Sequence, residues 1–206
     1  MINGQSAGKS YTYLLGVYFG DGSITVRGGS YQFGFETIDR EFLYKVLECI
    51  KELTDKEPTV GKRNRGENRN ETLYFSMCGE LFEHMYKETY GKKIVPDWVV
   101  NGDSDTKKLF LQGVMDSDGY VSQRENMKGI KQFRMGYVKS GIFVTSILKM
   151  MKDIGLQLSK IAIEPTKHND FVFRVGINMQ SWVKSGMKFS IPRKNDRVVA
   201  YQAKFN

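Results

Sequence analysis

The 206-residue sequence predicts a mixed α/β (α+β) fold laid out twice, as two pseudo-symmetric αββαββα repeats over residues 1–100 and 101–206. Three observations predict it. A short apolar motif ending in Asp-Gly occurs in both halves, the same order of strand and helix patterns follows each copy, and the strand segments alternate apolar and polar residues.

The first motif is Leu14-Leu15-Gly16-Val17-Tyr18-Phe19-Gly20-Asp21-Gly22, and the second is Leu111-Gln112-Gly113-Val114-Met115-Asp116-Ser117-Asp118-Gly119. Strands are expected at 23–27 and 30–37, and again at 120–124 and 131–138. A helix follows each pair, at 39–54 and 141–154. Two more strands come next, at 58–63 with 72–78 and at 159–165 with 171–177. A helix near 79–90 closes the first copy and one near 178–185 the second. A basic segment ending in proline follows each, at Pro96 and at Pro192. Phe33 and Phe35 alternate with Gln32 and Glu36, and Phe133, Met135 and Tyr137 with Gln132 and Arg134, so each sheet offers one apolar face to helices.

Composition bounds the function. Two cysteines, Cys49 and Cys78, suggest neither a disulfide framework nor a thiol nucleophile, and a reducing, intracellular compartment fits them. Two histidines in no zinc spacing argue against a zinc site. No apolar run is long enough to span a membrane. The net charge of +8 favours a polyanionic partner. That charge is uneven: residues 1–100 hold 13 Lys and Arg against 14 Asp and Glu, and residues 101–206 hold 18 against 9.

The polar strand faces carry Thr25, Arg27, Gln32, Tyr74 and Ser76 in the first half. In the second they carry Ser122, Arg124, Gln132, Arg134 and Arg174. These are the donors and acceptors that read base edges and touch phosphates. A loop with Arg63, Arg65 and Arg69 is a candidate phosphate contact, and Lys160 and Lys167 are its weaker counterparts.

In each motif two small residues lie four apart, Gly16 with Gly20 and Gly113 with Ser117, so they share a helix face and let two backbones approach. Packing along that face is expected to bring Asp21 and Asp118 together at two helix C-termini. Gly22 and Gly119 are expected to end the helices in the left-handed conformation. Two carboxylates about 6 Å apart repel by roughly 3 kcal/mol at an effective dielectric of 20. A divalent cation reverses that cost. The two carboxylates, with helix-end oxygens at Gly20 and Ser117, are hard ligands suited to Mg²⁺.

These two motifs resemble the LAGLIDADG motif of homing endonucleases in its single-chain, two-motif form. Gly16, Asp21, Gly22, Gly113, Asp116, Asp118 and Gly119 carry the match, and Phe19 departs from it where the family often has an acid. The resemblance implies a β-saddle on double-stranded DNA. Two or three Mg²⁺ ions would be shared between Asp21 and Asp118, and both strands would be cut with short 3′ overhangs. It implies a monomer with no obligate protein partner, and no membrane. Lys92, Lys93 and Lys188 resemble the family's basic residues around the metals. Glu36 stands where the family often has Gln, and its repeat neighbour is Val138 or Lys139. Asp116 reads as a structural residue. The alternative is a non-cleaving protein on the same fold, an RNA maturase or a DNA-binding regulator.

Overall fold

The computed structural model describes residues 5–64, 71–125, 131–140, 143–165 and 171–205. It divides into two compact units, Met1–Ser117 and Asp118–Asn206.

In the first unit, helix α1 (Gln5–Phe19) leads into strands β1 (Ser23–Arg27) and β2 (Ser30–Thr37). Arg27 pairs with Ser30, so the hairpin loop is Gly28-Gly29, both at positive φ, as a two-residue turn between twisted strands requires. Helix α2 (Arg40–Thr54) buries Phe42, Leu43, Val46, Cys49 and Ile50, the spacing of a single apolar stripe. Strands β3 (Gly61–Arg63) and β4 (Thr72–Cys78) complete an antiparallel sheet of order β1-β2-β4-β3. Helix α3 (Glu80–Glu88) stacks Phe82 on Phe33 at 5.0 Å, and Phe42 of α2 meets Phe35 edge-on at 5.1 Å. The apolar sheet face is therefore covered and the polar face is left open. A short α4 (Asp97–Val100) and then α5 (Ser104–Asp118) follow. Burial pushes the Cys49 thiol up to about 11, so it stays protonated in the core as a small apolar group.

The second unit repeats the plan with β5 (Gly119–Glu125), β6 (Lys131–Ser140), α6 (Val144–Asp153), β7 (Ala162–Pro165), β8 (Phe171–Ile177) and α7 (Met179–Ser185). Its sheet order is β5-β6-β8-β7, matching the first. Asn178 caps α7 by accepting the Ser181 N–H at 3.0 Å, and Gly186 closes it at φ 75°.

Two elements depart from the expected plan. Where a basic, proline-ended segment is expected after residue 185, Pro192 instead opens a helix, α8 (Pro192–Phe205). Proline suits the first helical position because its missing N–H is not needed there. The α8 side chain Arg197 donates to the Val121 carbonyl of β5. Strands β3 and β7 are also shorter than expected, although Leu158 adds an isolated bridge to Ile177. No helix among the described residues is long and apolar enough to cross a membrane.

Candidate active site and open strand faces

Helices α1 and α5 touch backbone to backbone within the first unit. A Cβ on Gly16 would overlap the Phe110 carbonyl and lie 3.2 Å from the Gly113 Cα. A Cβ on Gly113 would overlap the Tyr13 carbonyl and lie 2.8 Å from the Val17 nitrogen. The expected small-residue contact is thus present at these two glycines. Two side-chain pairs flank it in related positions, since residue 13 corresponds to 110 and residue 19 to 116. Phe19 meets Phe110 edge-on at 5.3 Å, whereas the Tyr13 hydroxyl donates to Asp116 at 2.9 Å. Asp116 is buried and faces Tyr13, which accounts for it as a packing residue. Tyr13→Phe removes one donor from this buried carboxylate. It is expected to lower unfolding stability by about 1–3 kcal/mol, measured by denaturant titration.

The motif glycines that follow the aspartates do not adopt the expected conformation. Neither Gly22 nor Gly119 has positive φ. Gly22 is required for space instead, because a Cβ there would lie 2.8 Å from the Tyr18 Cα and 2.9 Å from the Phe33 ring. Its N–H reaches the Val17 carbonyl at 3.0 Å and closes α1. Gly119 needs no turn, since α5 runs to Asp118 and β5 starts at the next residue.

Asp21 lies exposed in the turn after α1. Lys93 comes to this turn, its Nζ 3.1 Å from the Gly22 carbonyl, 3.5 Å from the Gly20 carbonyl, and 5.0 Å from the Tyr18 ring centre. A cation on these carbonyls offsets the negative end of the helix dipole. Lys92 is exposed, so of the two adjacent lysines Lys93 is the one placed at the motif.

In the second unit the lysine beside the acid is one the sequence did not single out for this role. Lys139 Nζ lies 3.0 and 2.9 Å from the two Asp118 carboxylate oxygens. Both are largely shielded, with side-chain exposures of 24% and 14%. Lys188, expected near the acid, is exposed, and the buried lysine of that segment is Lys194, 5.5 Å from the Phe189 ring. The buried Tyr137 hydroxyl has no hydrogen-bond partner among the described residues. Burial first, and the Asp118 charge second, hold its ionisation well above the usual tyrosine range, so it stays a neutral donor. The Ser117 hydroxyl donates back to the Gly113 carbonyl at 3.0 Å.

Strand register resolves the repeat. Ser23 faces Gly34 in the first sheet and Tyr120 faces Gly136 in the second, which makes Val138 the counterpart of Glu36 and Lys139 that of Thr37. Glu36 accepts from the Thr72 hydroxyl and pairs with Arg63 at 3.5 Å, so it is engaged on the open sheet face. Arg63 also lies 4.8 Å from the Tyr74 ring centre, and Gln32 donates to Ser76 at 3.1 Å. In the second sheet Arg174 holds the Tyr74 position and pairs with Glu164 at 3.4 Å. Thr25, Arg27, Arg134 and Lys160 are exposed and Ser122 is half-buried. Register places Arg124 opposite Gln132, with their side chains outside the described residues. Arg65, Arg69 and Lys167 also lie outside them.

Two four-stranded antiparallel sheets of matching order, β1-β2-β4-β3 and β5-β6-β8-β7, each led by a motif helix and each with an open polar face, define the LAGLIDADG homing-endonuclease fold. Solved structures share it. I-DmoI in complex with DNA and Mn superposes with a TM-score of 0.57 at 14% identity, covering 86% of this chain and 94% of that one. I-DmoI in complex with DNA and Ca gives 0.58 at 14%, covering 87% and 88%. The meganuclease I-SmaMI bound to uncleaveable DNA gives 0.56 at 11%, covering 94% and 90%. An uncharacterized protein of Methanocaldococcus jannaschii, MJ0398, is 27% identical over 210 residues, 94% of this chain and 71% of its own. No family model matches the chain.

Proposed function

We propose that this protein is a sequence-specific double-stranded DNA endonuclease. It hydrolyses one phosphodiester in each strand of a long asymmetric site, roughly 20 base pairs, and leaves short 3′ overhangs. One observation carries the reading: each motif of a homing-endonuclease fold places an aspartate at the end of its helix, Asp21 in the turn after α1 and Asp118 as the last residue of α5, with a lysine beside the motif end. Domain bounds at 1–100 and 101–206 follow the motif repeat, with one acid in each. The open polar sheet faces supply the DNA contacts, and a single chain carries both halves, so it acts as a monomer.

The donor set fits Mg²⁺. Carboxylates and helix-end carbonyls are hard oxygen ligands, and Mg²⁺ takes one or two carboxylates while keeping water and phosphate in its other positions. No group of three His, Cys, Asp or Glu that could hold a metal ion occurs among the described residues. Asp21 and Asp118 would share two or three Mg²⁺ ions, which would supply Lewis-acid polarisation of the scissile phosphate and a more acidic bound water. Lys93 stabilises phosphate charge beside Asp21, and Lys139 does so beside Asp118.

The non-cleaving alternative draws on the Lys139–Asp118 ion pair, which neutralises one acid without any metal. Lys139→Met separates the two readings. A nuclease is expected to lose at least tenfold in cleavage rate, while a binder shows only a change in affinity. The primary test is selection of cleaved sites from a randomised duplex library with Mg²⁺. Recovery of one long site with 3′ overhangs is expected, and tight binding with no cut sequence overturns the nuclease reading.

A further inference from the structure

At the N-terminal end of α1 the first unit has an open hollow of about 630 Å³ that the proposed DNA chemistry does not use. Tyr11, His84 and Trp98 line it, with the carboxylates of Glu88, Asp103 and Asp105. The Trp98 ring stacks near-parallel to Tyr11, with centres 6.3 Å apart and planes 28° apart, and His84 lies 5.7 Å from Tyr11. Trp98 is 41% exposed, yet it is oriented, because its indole N–H donates to Glu88 at 2.7 Å. The Tyr11 hydroxyl donates to the other Glu88 oxygen. Each carboxylate oxygen keeps acceptor capacity beyond one bond. Glu88 is therefore held in place with aromatic faces beside it.

The charge points to the ligand. Among the described residues lining the hollow, Lys9 alone opposes the three carboxylates. The Thr106 N–H and hydroxyl hold Asp103 below the usual carboxylate range, so it is ionised at neutral pH. A local excess of negative charge on a chain of net +8 repels phosphate, which sets this hollow apart from any DNA-contacting surface. Tyr11 is ten residues before Asp21, about 15 Å along the helix, so the two positions can be filled independently. Its volume is that of a small-ligand site rather than of a water pocket.

We propose that this hollow binds an organic cation, an alkylammonium or guanidinium group that lies over the Trp98 ring and pairs with Glu88. Ring faces attract such cations, and a fixed carboxylate adds direction. The cation can come from a free polyamine or from an arginine side chain of a partner, and the experiment separates these sources.

The DNA-free protein is titrated with spermidine in one arm and with N-acetyl-arginine amide in the other, at constant ionic strength. The Trp98 indole N–H is followed by nuclear magnetic resonance. Trp182, fully buried, is the internal reference. The Trp98 signal is expected to shift saturably in at least one arm while Trp182 stays fixed, and the responding arm identifies the source. Glu88→Gln is expected to weaken binding at least tenfold, and Asp103→Asn, at the rim and outside the Tyr11–Glu88–Trp98 contacts, a few-fold. The proposal is overturned if Trp98 does not move with either probe up to 10 mM. An equal shift with sodium chloride, or undiminished binding in both variants, also overturns it, leaving the three side chains as a tie between α1, α3 and α4. None of these outcomes depends on DNA cleavage, so the nuclease reading stands or falls separately.

Discussion

Asp21→Asn and Asp118→Asn, each alone, are expected to reduce double-strand cleavage at least a thousandfold while leaving DNA binding within a few-fold of the parent. Asparagine keeps the shape and one oxygen but removes the charge that a hard cation needs. A thousandfold corresponds to about 4 kcal/mol of lost transition-state stabilisation. The two variants should differ in their side effects. Asp21 is exposed, so its loss should leave stability unchanged. Asp118 is shielded and paired with Lys139, so its loss removes a half-buried ion pair and should lower stability as well. Cleavage on a duplex carrying the selected site, with binding followed separately in Ca²⁺, checks both. Undiminished cleavage by either variant rules out a mechanism with one acid per motif.

Gly113→Ala is expected to be strongly damaging, costing about 3 kcal/mol or more in denaturant unfolding. The added methyl would lie against the Tyr13 carbonyl and the Val17 nitrogen, both backbone atoms of α1 with no rotamer to give. The two helices must separate, and overpacking that moves backbone falls at the costly end of core substitutions. Gly8→Ala is the matched control. It lies on α1 with nothing within 4 Å of the added carbon, and helix propensity makes it neutral or mildly stabilising. Equal stability of the Gly113 variant and the parent would mean that the two motif helices do not meet as described.

Much of this architecture is legible in the sequence because it rests on local patterns. Alternating Phe33 and Phe35, the apolar stripe of α2 and the repeated motif each follow from one periodicity. The departures have physical causes outside that reach. Pro192 looks like a terminator and acts as a helix starter, and the difference depends on the Ile191 carbonyl accepting the Lys194 and Asn195 N–H groups at 3.1 Å. Gly22 and Gly119 suggest left-handed caps, but the requirement at Gly22 is room beside Tyr18 and Phe33, which only tertiary packing reveals. Lys139 is ambiguous in the sequence because the segment joining β5 and β6 is longer than the one joining β1 and β2. Register settles that gap, and it places at Asp118 a lysine that no motif marks.

The unlike pairs flanking Gly16 and Gly113 have a consequence for how the two copies recognise one another. If two first halves paired with each other through their motif helices, Tyr13 would face Phe19 twice and its hydroxyl would lose the Asp116 carboxylate. If two second halves paired, Asp116 would face Phe110 twice, burying two carboxylates with no tyrosine to donate to them. Each such lost hydrogen bond costs about 1–3 kcal/mol, and more when a charged group is involved. Only the unlike combination satisfies Tyr13, Asp116, Phe19 and Phe110 together. The chain thus encodes a preference against self-pairing of either half. Divided and expressed as two polypeptides, the halves should seek each other.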